Sequence, residues 1–371
     1  MESCIRVLQV VSIMNRGGIE NMLMNLYRNI NREEVQFDFV VHRDTEGNFD
    51  KEISMLNGNI YHAPHYNVFN HFQYVKWWKD FFIAHPEYKI IHSHTYAIAS
   101  IQLSIAKKYG LKTIVHSHSS STGHGLKALV KSFLQKRISV IPDYMFSCSD
   151  KAGVWLFGSE SIKKSNYFLL KNAIDTEKFS YNSHVRSQIK EEFGLADELV
   201  LGHVGNFTDP KNYPFILRVF QNLIKKNNNC KLLLVGNGPL IDFVKKQAID
   251  LEISDHIIFT GTRTDVYNVL QAFDFFIFPS LFEGLPVTVI EAQASGLRCL
   301  ISDRITDEVC ITDLVKQLPI DNTDIWVDEI LNNSEYLRRD MKKEISIAGY
   351  DIKSTTEWLS SFYQGVNDAV K

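Results

Sequence analysis

Short apolar runs alternate with longer amphipathic stretches along nearly the whole chain. Runs at residues 5–13, 37–42, 60–63, 90–92, 113–116, 144–148 and 168–170 make one series. Runs at 199–204, 231–235, 257–260, 275–279, 299–302 and 316–320 make a second. Most are apolar throughout rather than alternating with polar residues, as in strands of parallel sheets covered on both faces. Between them, stretches such as 21–29, 214–226 and 287–295 place apolar residues at helical spacing. Repeated βα units of this kind predict doubly wound sheets.

Two series in one chain require a boundary, and the polar, charged stretch at 181–195 supplies the best one. The expected architecture is therefore α/β: two Rossmann-like parallel-sheet domains, residues 1–190 and 191–354, facing across a cleft. Ligands in such sheets bind outside the carboxyl ends of the strands. The last stretch, 355–371, carries Trp358, Leu359, Phe362 and Tyr363 at helical spacing. It predicts a packed terminal helix, on its own domain or back on the first.

Composition agrees with this reading. The 371 residues are 45% hydrophobic, more than one ordinary core needs. A net charge of -3 gives no electrostatic footprint for nucleic acid. The cysteines, Cys4, Cys148, Cys230, Cys299 and Cys310, are widely spaced and form no CxxC pair. That argues against a thiolate zinc site or a disulfide framework and fits a reducing compartment. No apolar run approaches the ~20 residues of a membrane span. The apolar N-terminus lacks the marks of a cleaved leader, so a cytoplasmic location is expected.

The richest chemistry lies at 278–296, FPSLFEGLPVTVIEAQASG. An apolar strand leads into a loop carrying Glu283 and Gly284. Pro286 suits a helix start, and Gly296 suits its end. Unpaired amides and the dipole at such a helix start attract phosphate. Glu283 and Glu291 can accept hydrogen bonds from sugar hydroxyls. This segment resembles the E-x7-E segment of retaining glycosyltransferases of family 4, with F-E-G-L-P and E-A-x-A-x-G intact. The resemblance implies the GT-B fold. It also implies that Glu283 holds the donor sugar, that Glu291 binds the ribose, and that the amides of Gly284 and Leu285 contact the donor.

Other pieces agree. V-G-N-F-T-D-P-K-N, from Val204 to Asn212, resembles the family's diphosphate clamp: Gly205 allows a tight strand exit and Lys211 stands at the lysine position. The family's arginine position is Asn206, which cannot neutralise charge, so Arg263 in G-T-R-T-D-V is the candidate to supply it. V-G-N-G-P, with Gly236 and Gly238, resembles the loop lining the nucleotide site. R-G-G-I-E, with Gly17 and Gly18, resembles the family's loop near the reacting sugar. C-S-D-K-A-G-V-W-L-F-G at 148–158 and N-A-I-D-T-E-K-F at 172–179 resemble landmarks at the end of the first domain.

Two H-S-H triplets occur, His92 with His94 and His116 with His118, and His124 follows. Residues i and i+2 on an extended chain face the same way. Imidazoles so placed can share a zinc ion, but no carboxylate or Cys completes a set, and no metal is expected. The resemblance implies that His118 first, and His116 second, contact the donor sugar region. The spacing predicts ordinary strand-end histidines at 92 and 94.

A stripe of Leu126, Leu129, Val130, Phe133 and Leu134 shares its stretch with Lys127, Lys131, Lys136 and Arg137. Such a basic amphipathic helix can pack on its own sheet or rest on an anionic membrane. Together these features predict a glycosyltransferase needing no cofactor or metal. It would move a hexose-type sugar from a nucleoside-diphosphate sugar, UDP foremost, to a saccharide or lipid-linked saccharide in surface polysaccharide synthesis. Catalysis would rest on Lys211, Glu283 and His118. Peripheral contact at the inner face of the plasma membrane is part of the expectation. The alternatives are a GT-B-shaped sugar-nucleotide epimerase and an inactive nucleotide-sugar-binding module. A nicotinamide oxidoreductase lacks its G-x-G-x-x-G fingerprint here.

Overall fold

In the computed structural model, which describes residues 4–15, 17–96, 98–118 and 138–369, the apolar runs become strands of two parallel sheets. The first sheet holds β1 (Ile5–Val10), β2 (Val35–Val41), β3 (Ile60–His62), β4 (Ile90–Ser93), β5 (Lys112–Ser117), β6 (Tyr144–Ser147) and β7 (Tyr167–Leu169), ordered β3-β2-β1-β4-β5-β6-β7. The second holds β8 (Leu199–Val204), β9 (Cys230–Val235), β10 (Ile257–Gly261), β11 (Phe275–Phe278), β12 (Arg298–Ser302) and β13 (Val315–Leu318), ordered β10-β9-β8-β11-β12-β13. Every residue of β11 is buried, which is why this strand reads as an unbroken apolar run; β2 is equally buried but carries Gln36 and Asp38, and Asp38 is paired with Arg6.

Helices cover both sheets. In the first unit these include α1 (Gly18–Asn29), α2 (Asp50–Met55), α3 (His71–Ala84) and α4 (Ala99–Lys108). In the second, the helix Tyr213–Lys226 shows how sequence makes the element. Pro214 stands in its first turn, Phe215, Ile216, Val219, Phe220 and Leu223 are buried, and Lys225 and Lys226 close its last turn. Each such large apolar side chain contributes roughly 1.5–3 kcal/mol when taken out of water.

The chain divides into residues 1–173 with 352–371, and residues 174–351. The first boundary thus falls before the polar stretch at 181–195, and the expected division at 190 is corrected. The helix Ser183–Glu192 is capped by Asn182 and anchored to the second unit by Arg186, which donates to the carbonyls of Gln271 and Phe273 and to Asp274. Its polar outer face accounts for the linker-like composition. The passages out of and into the first unit run side by side, bridged at Ile174 and Asp351. The terminal helix Ile352–Asp368 belongs to the first unit, where Leu359, Tyr363 and Val366 join the core around α1 and β1. No helix among the described residues is long and apolar enough to cross a membrane.

Candidate active site

In the second unit the chain runs outward from β8 through β9 to β10, then returns to β11 on the other side of β8. Strand order thus reverses between β8 and β11, the place at which open parallel sheets take their ligands. Both highlighted motifs occupy the loops after β8 and β11. Lys211 ends a turn at Asp209–Lys211, and Asn212 follows in the left-handed conformation at φ 56°. The loops are tied together: Leu281 N–H donates to Pro210 O at 2.8 Å, and the Asn212 amide to Pro279 O at 3.1 Å.

This frame brings Lys211 Nζ to 2.6 Å from Glu283 Oε1, with 17% and 18% of the two side chains exposed. The ammonium also lies 4.6 Å from the centre of the Phe278 ring. A compact cation and a carboxylate therefore share one half-buried position at the switch point. The helix Val287–Ala294 begins just beyond, with Pro286 at its N-cap rather than its first position. In its first turn Val289 N–H donates to Pro286 O at 3.0 Å, while the amides of Val287 and Thr288 precede the first helical acceptor. Glu291 lies one further turn along, partly buried, and desolvation alone pushes its carboxyl up to about 7. Gly284 is exposed and Leu285 half-buried beside the core.

Gly236 sits at φ 136°, and a Cβ there would stand 2.0 Å from Gly205 O. A Cβ on Gly238 would stand 2.7 Å from Phe207 N. These glycines therefore permit backbone crowding between the loops after β8 and β9. Gly236→Ala is expected to cost roughly 2–3 kcal/mol, read as a lowered denaturant midpoint. An unchanged midpoint would mean the loop can shift aside.

Arg263 does not stand ready to replace the family's arginine. It is held by Glu192 at 2.7 Å and by Asp265 at 2.8 Å, so its charge is already compensated. Asn206 is exposed at the loop tip. Two groups escape the motif reading. His203 donates from Nδ1 to Ile277 O at 2.9 Å, leaving Nε2 a buried acceptor without a partner near Gly205. Burial first, and Lys211 second, hold its pKa down to about 3. Ser280 Oγ, at the end of β11, is buried and unpartnered. A histidine next to the clamp motif was the one visible signal; Ser280 gave none beyond its place after the strand.

In the first unit the strand order reverses between β1 and β4. Gly17 caps α1 there with an extended backbone, and Gly18 opens the helix. The two histidine triplets end neighbouring strands, with His92 beside Ile114 and Ser93 beside Val115. That register gathers all four rings. His116 and His118 lie 3.9 Å apart by centroid, and His92 and His94 lie 4.5 Å apart. His92 and His94 stand at the end of β4, and the register packs them against the rings of His116 and His118. Sequence spacing fixed each pair, but only the pairing of β4 with β5 joins them.

The hydrogen bonds assign the protons. Gln9 Oε1 can only accept, so His94 donates to it from Nε2, at 2.9 Å. His94 is then an acceptor at Nδ1, and His118 donates to it from Nε2 at 2.8 Å. His118 Nδ1 is left a lone pair, buried and unpartnered. On the other side, Gln9 Nε2 donates to Tyr363 Oη at 3.4 Å, and Tyr363 donates to His92 Nδ1 at 2.7 Å. Burial keeps the rings neutral: His92 and His118 are both pushed down to about 3. In histidine-labelled protein, ¹⁵N spectra are expected to show His118 as the Nε2–H tautomer at pH 6–8, unprotonated at Nδ1. Gln9→Leu should give a mixture. A charged His118 at pH 6 would contradict the assignment.

Nitrogens of His92, His94 and His116 come within 4.8 Å of one another. An ion bound at about 2.0–2.1 Å needs them closer, and His94 would first have to release Gln9 or His118. The donor set fits a hydrogen-bonded chain better than a resident metal. His124 and the basic stripe at 126–137 lie outside the described residues.

Two parallel-sheet units, each with polar groups at the switch point of its sheet, agree with the GT-B fold. The comparisons agree. Residues 16–178 match the family profile "Glycosyltransferase Family 4", and residues 185–344 match "Glycosyl transferases group 1". The Bacillus subtilis (strain 168) protein named "Putative glycosyltransferase EpsF" is 32% identical over 371 residues, covering 96% of each chain. A UDP-Gal:alpha-D-GlcNAc-diphosphoundecaprenol alpha-1,3-galactosyltransferase of Escherichia coli is 26% identical over 58% of each. Among solved structures, Anabaena Alr3699/HepE in complex with UDP superposes with a TM-score of 0.78 at 13% identity, covering 97% of this chain and 100% of that one. The chain belongs to the family 4, group 1 glycosyltransferases, and it is a transferase with the GT-B fold.

Proposed function

We propose that the protein transfers a hexose-type sugar, with retention, from a UDP-sugar to a saccharide or lipid-linked saccharide acceptor in surface polysaccharide synthesis. The observation carrying this is the Lys211–Glu283 pair at the switch point, beside the helix that bears Glu291. Lys211 faces the diphosphate, Glu283 accepts from sugar hydroxyls, and Glu291 accepts from the ribose. In the free protein Glu283 neutralises Lys211. A diphosphate draws the ammonium away and leaves that carboxylate to the sugar.

The sugar–phosphate C–O bond breaks as charge develops on the leaving phosphate, which Lys211 and the helix-start amides stabilise. The acceptor oxygen bonds the sugar carbon on the same face, and its proton passes to the departing phosphate oxygen. No enzymic nucleophile and no metal take part. Incubation with a panel of UDP-sugars and the saccharide acceptor in EDTA, with product anomers read by NMR, tests this. Unchanged anomeric configuration and undiminished rate are expected. An inverted product, or activity abolished by EDTA and restored by magnesium, would overturn the mechanism.

A further inference from the structure

One residue before the end of β8 stands a buried histidine that the reaction above does not employ. His203 has no exposed surface, and its Nδ1–H donates to Ile277 O at 2.9 Å, tying β8 to β11. That bond fixes the tautomer, because a carbonyl only accepts. Nε2 therefore carries a lone pair, buried and with no hydrogen-bond partner among the described residues. Native folds rarely leave such an acceptor unpaired, and its surroundings point to the donor.

The imidazole shares those surroundings with Lys211. Its ring stacks on that of Phe278 with centroids 5.5 Å apart, and the Lys211 ammonium lies 4.6 Å from the centre of the same ring. A Cβ placed on Gly205 would stand 3.0 Å from His203 Nε2 and 3.1 Å from Lys211 Cε. Nitrogen and lysine stem thus flank the small space that the glycine leaves open. Tyr213 holds this frame: its ring packs edge-on to the imidazole at 5.2 Å, and its hydroxyl donates to Gly205 O at 3.0 Å. The ammonium has three N–H donors, and Glu283 takes one of them at 2.6 Å. An ionised phosphate cannot satisfy Nε2, because its oxygens also only accept.

We propose that His203 is a positioning residue for Lys211: when a diphosphate draws the ammonium away from Glu283, Nε2 accepts one of its N–H groups and holds it at the leaving phosphate. The proposal rests on the reading that Lys211 faces the diphosphate. The remaining N–H groups then serve the phosphate oxygens. Glu283 is released to the sugar without setting the flexible four-carbon lysine stem free.

Two amide substitutions separate this role from a merely structural one. His203→Asn keeps a donor at the place of Nδ1, toward Ile277 O, and has nothing at the place of Nε2. His203→Gln sets an acceptor at the place of Nε2 and gives up the bond to Ile277. In sugar transfer, His203→Asn is expected to lower kcat roughly tenfold or more with KM little changed. His203→Gln should recover most of that loss, although its melting temperature should be the lower of the two. Added to Lys211→Ala, His203→Asn should cost less than about twofold more. With residue 203 unaltered, the ¹⁵N resonance of His203 Nε2 should move toward its hydrogen-bonded position on adding UDP, and should stay in place in Lys211→Ala. A His203→Gln variant slower than His203→Asn would make the role structural and overturn the proposal. Additive losses with Lys211→Ala would overturn it too, as would a UDP-induced Nε2 shift that persists without Lys211, because the donor would then be a hydroxyl of the nucleotide. An active His203→Asn beside a crippled Lys211→Ala would refute the positioning role and leave the proposed reaction standing. An indifferent Lys211→Ala would instead remove the reading on which it rests.

Discussion

Lys211→Ala is expected to lower kcat/KM for sugar transfer by about 10²–10³-fold, with the fold retained. The size follows from what else surrounds the diphosphate position. Asn206 carries no charge, and Arg263 is held between Glu192 and Asp265. Lys211 is thus left to face the leaving group, its charge met in the free protein by Glu283 at 2.6 Å. Its removal takes away the cation and leaves a half-buried carboxylate without its counterion, so kcat should fall more than KM rises. Glu283→Gln should be less damaging to nucleotide binding and more damaging to sugar selectivity. Steady-state kinetics with a melting curve for each variant would check this. A loss under about fivefold for Lys211→Ala, with folding intact, would mean that another cation reaches the phosphate.

Glu291→Gln is expected to weaken UDP binding by at least about tenfold above pH 7 while making the free protein more stable. Desolvation raises the Glu291 carboxyl to about 7, so folding favours its protonated form. The sign is the reverse of the usual carboxylate. This group's contribution is greatest at low pH and is lost as pH rises from its unfolded value through about 7. The loss amounts to roughly 3 kcal/mol between pH 4.5 and 8. Glu291→Gln has no such slope, so its melting temperature should exceed wild type at pH 8 and converge with it at pH 5. UDP affinity of the wild type should fall about tenfold per unit below pH 7, as the ribose must compete with a proton. Parallel melting curves at both pH values would contradict the burial argument, and pH-independent affinity would remove Glu291 from the ribose.

The two sheets and the second unit's site were legible because local signals carry them. A fully buried strand such as β11 leaves an unbroken apolar run, and the loop and helix after it keep their glutamates, glycine and proline within one short segment. The domain boundary was misplaced because a solvated helix, Ser183–Glu192, has the composition of a linker. The histidine chain was half legible. Each triplet announces itself, but Gln9 and Tyr363 reach it from opposite ends of the sequence. No local pattern connects residues whose contact depends on strand order. The pairing that disarms Arg263 was hidden for the same reason, since Glu192 comes from a distant helix.

The central claim is that the second unit binds a nucleoside diphosphate through Lys211 and Glu291 without a metal ion. Titration calorimetry of the full chain with UDP, in buffer containing EDTA at pH 7.5, tests it most directly. The account predicts one site per chain, unaffected by replacing EDTA with magnesium, weakened in Lys211→Ala and in Glu291→Gln. Absence of heat with UDP in EDTA but not in magnesium, or equal affinity in both variants and wild type, would contradict it.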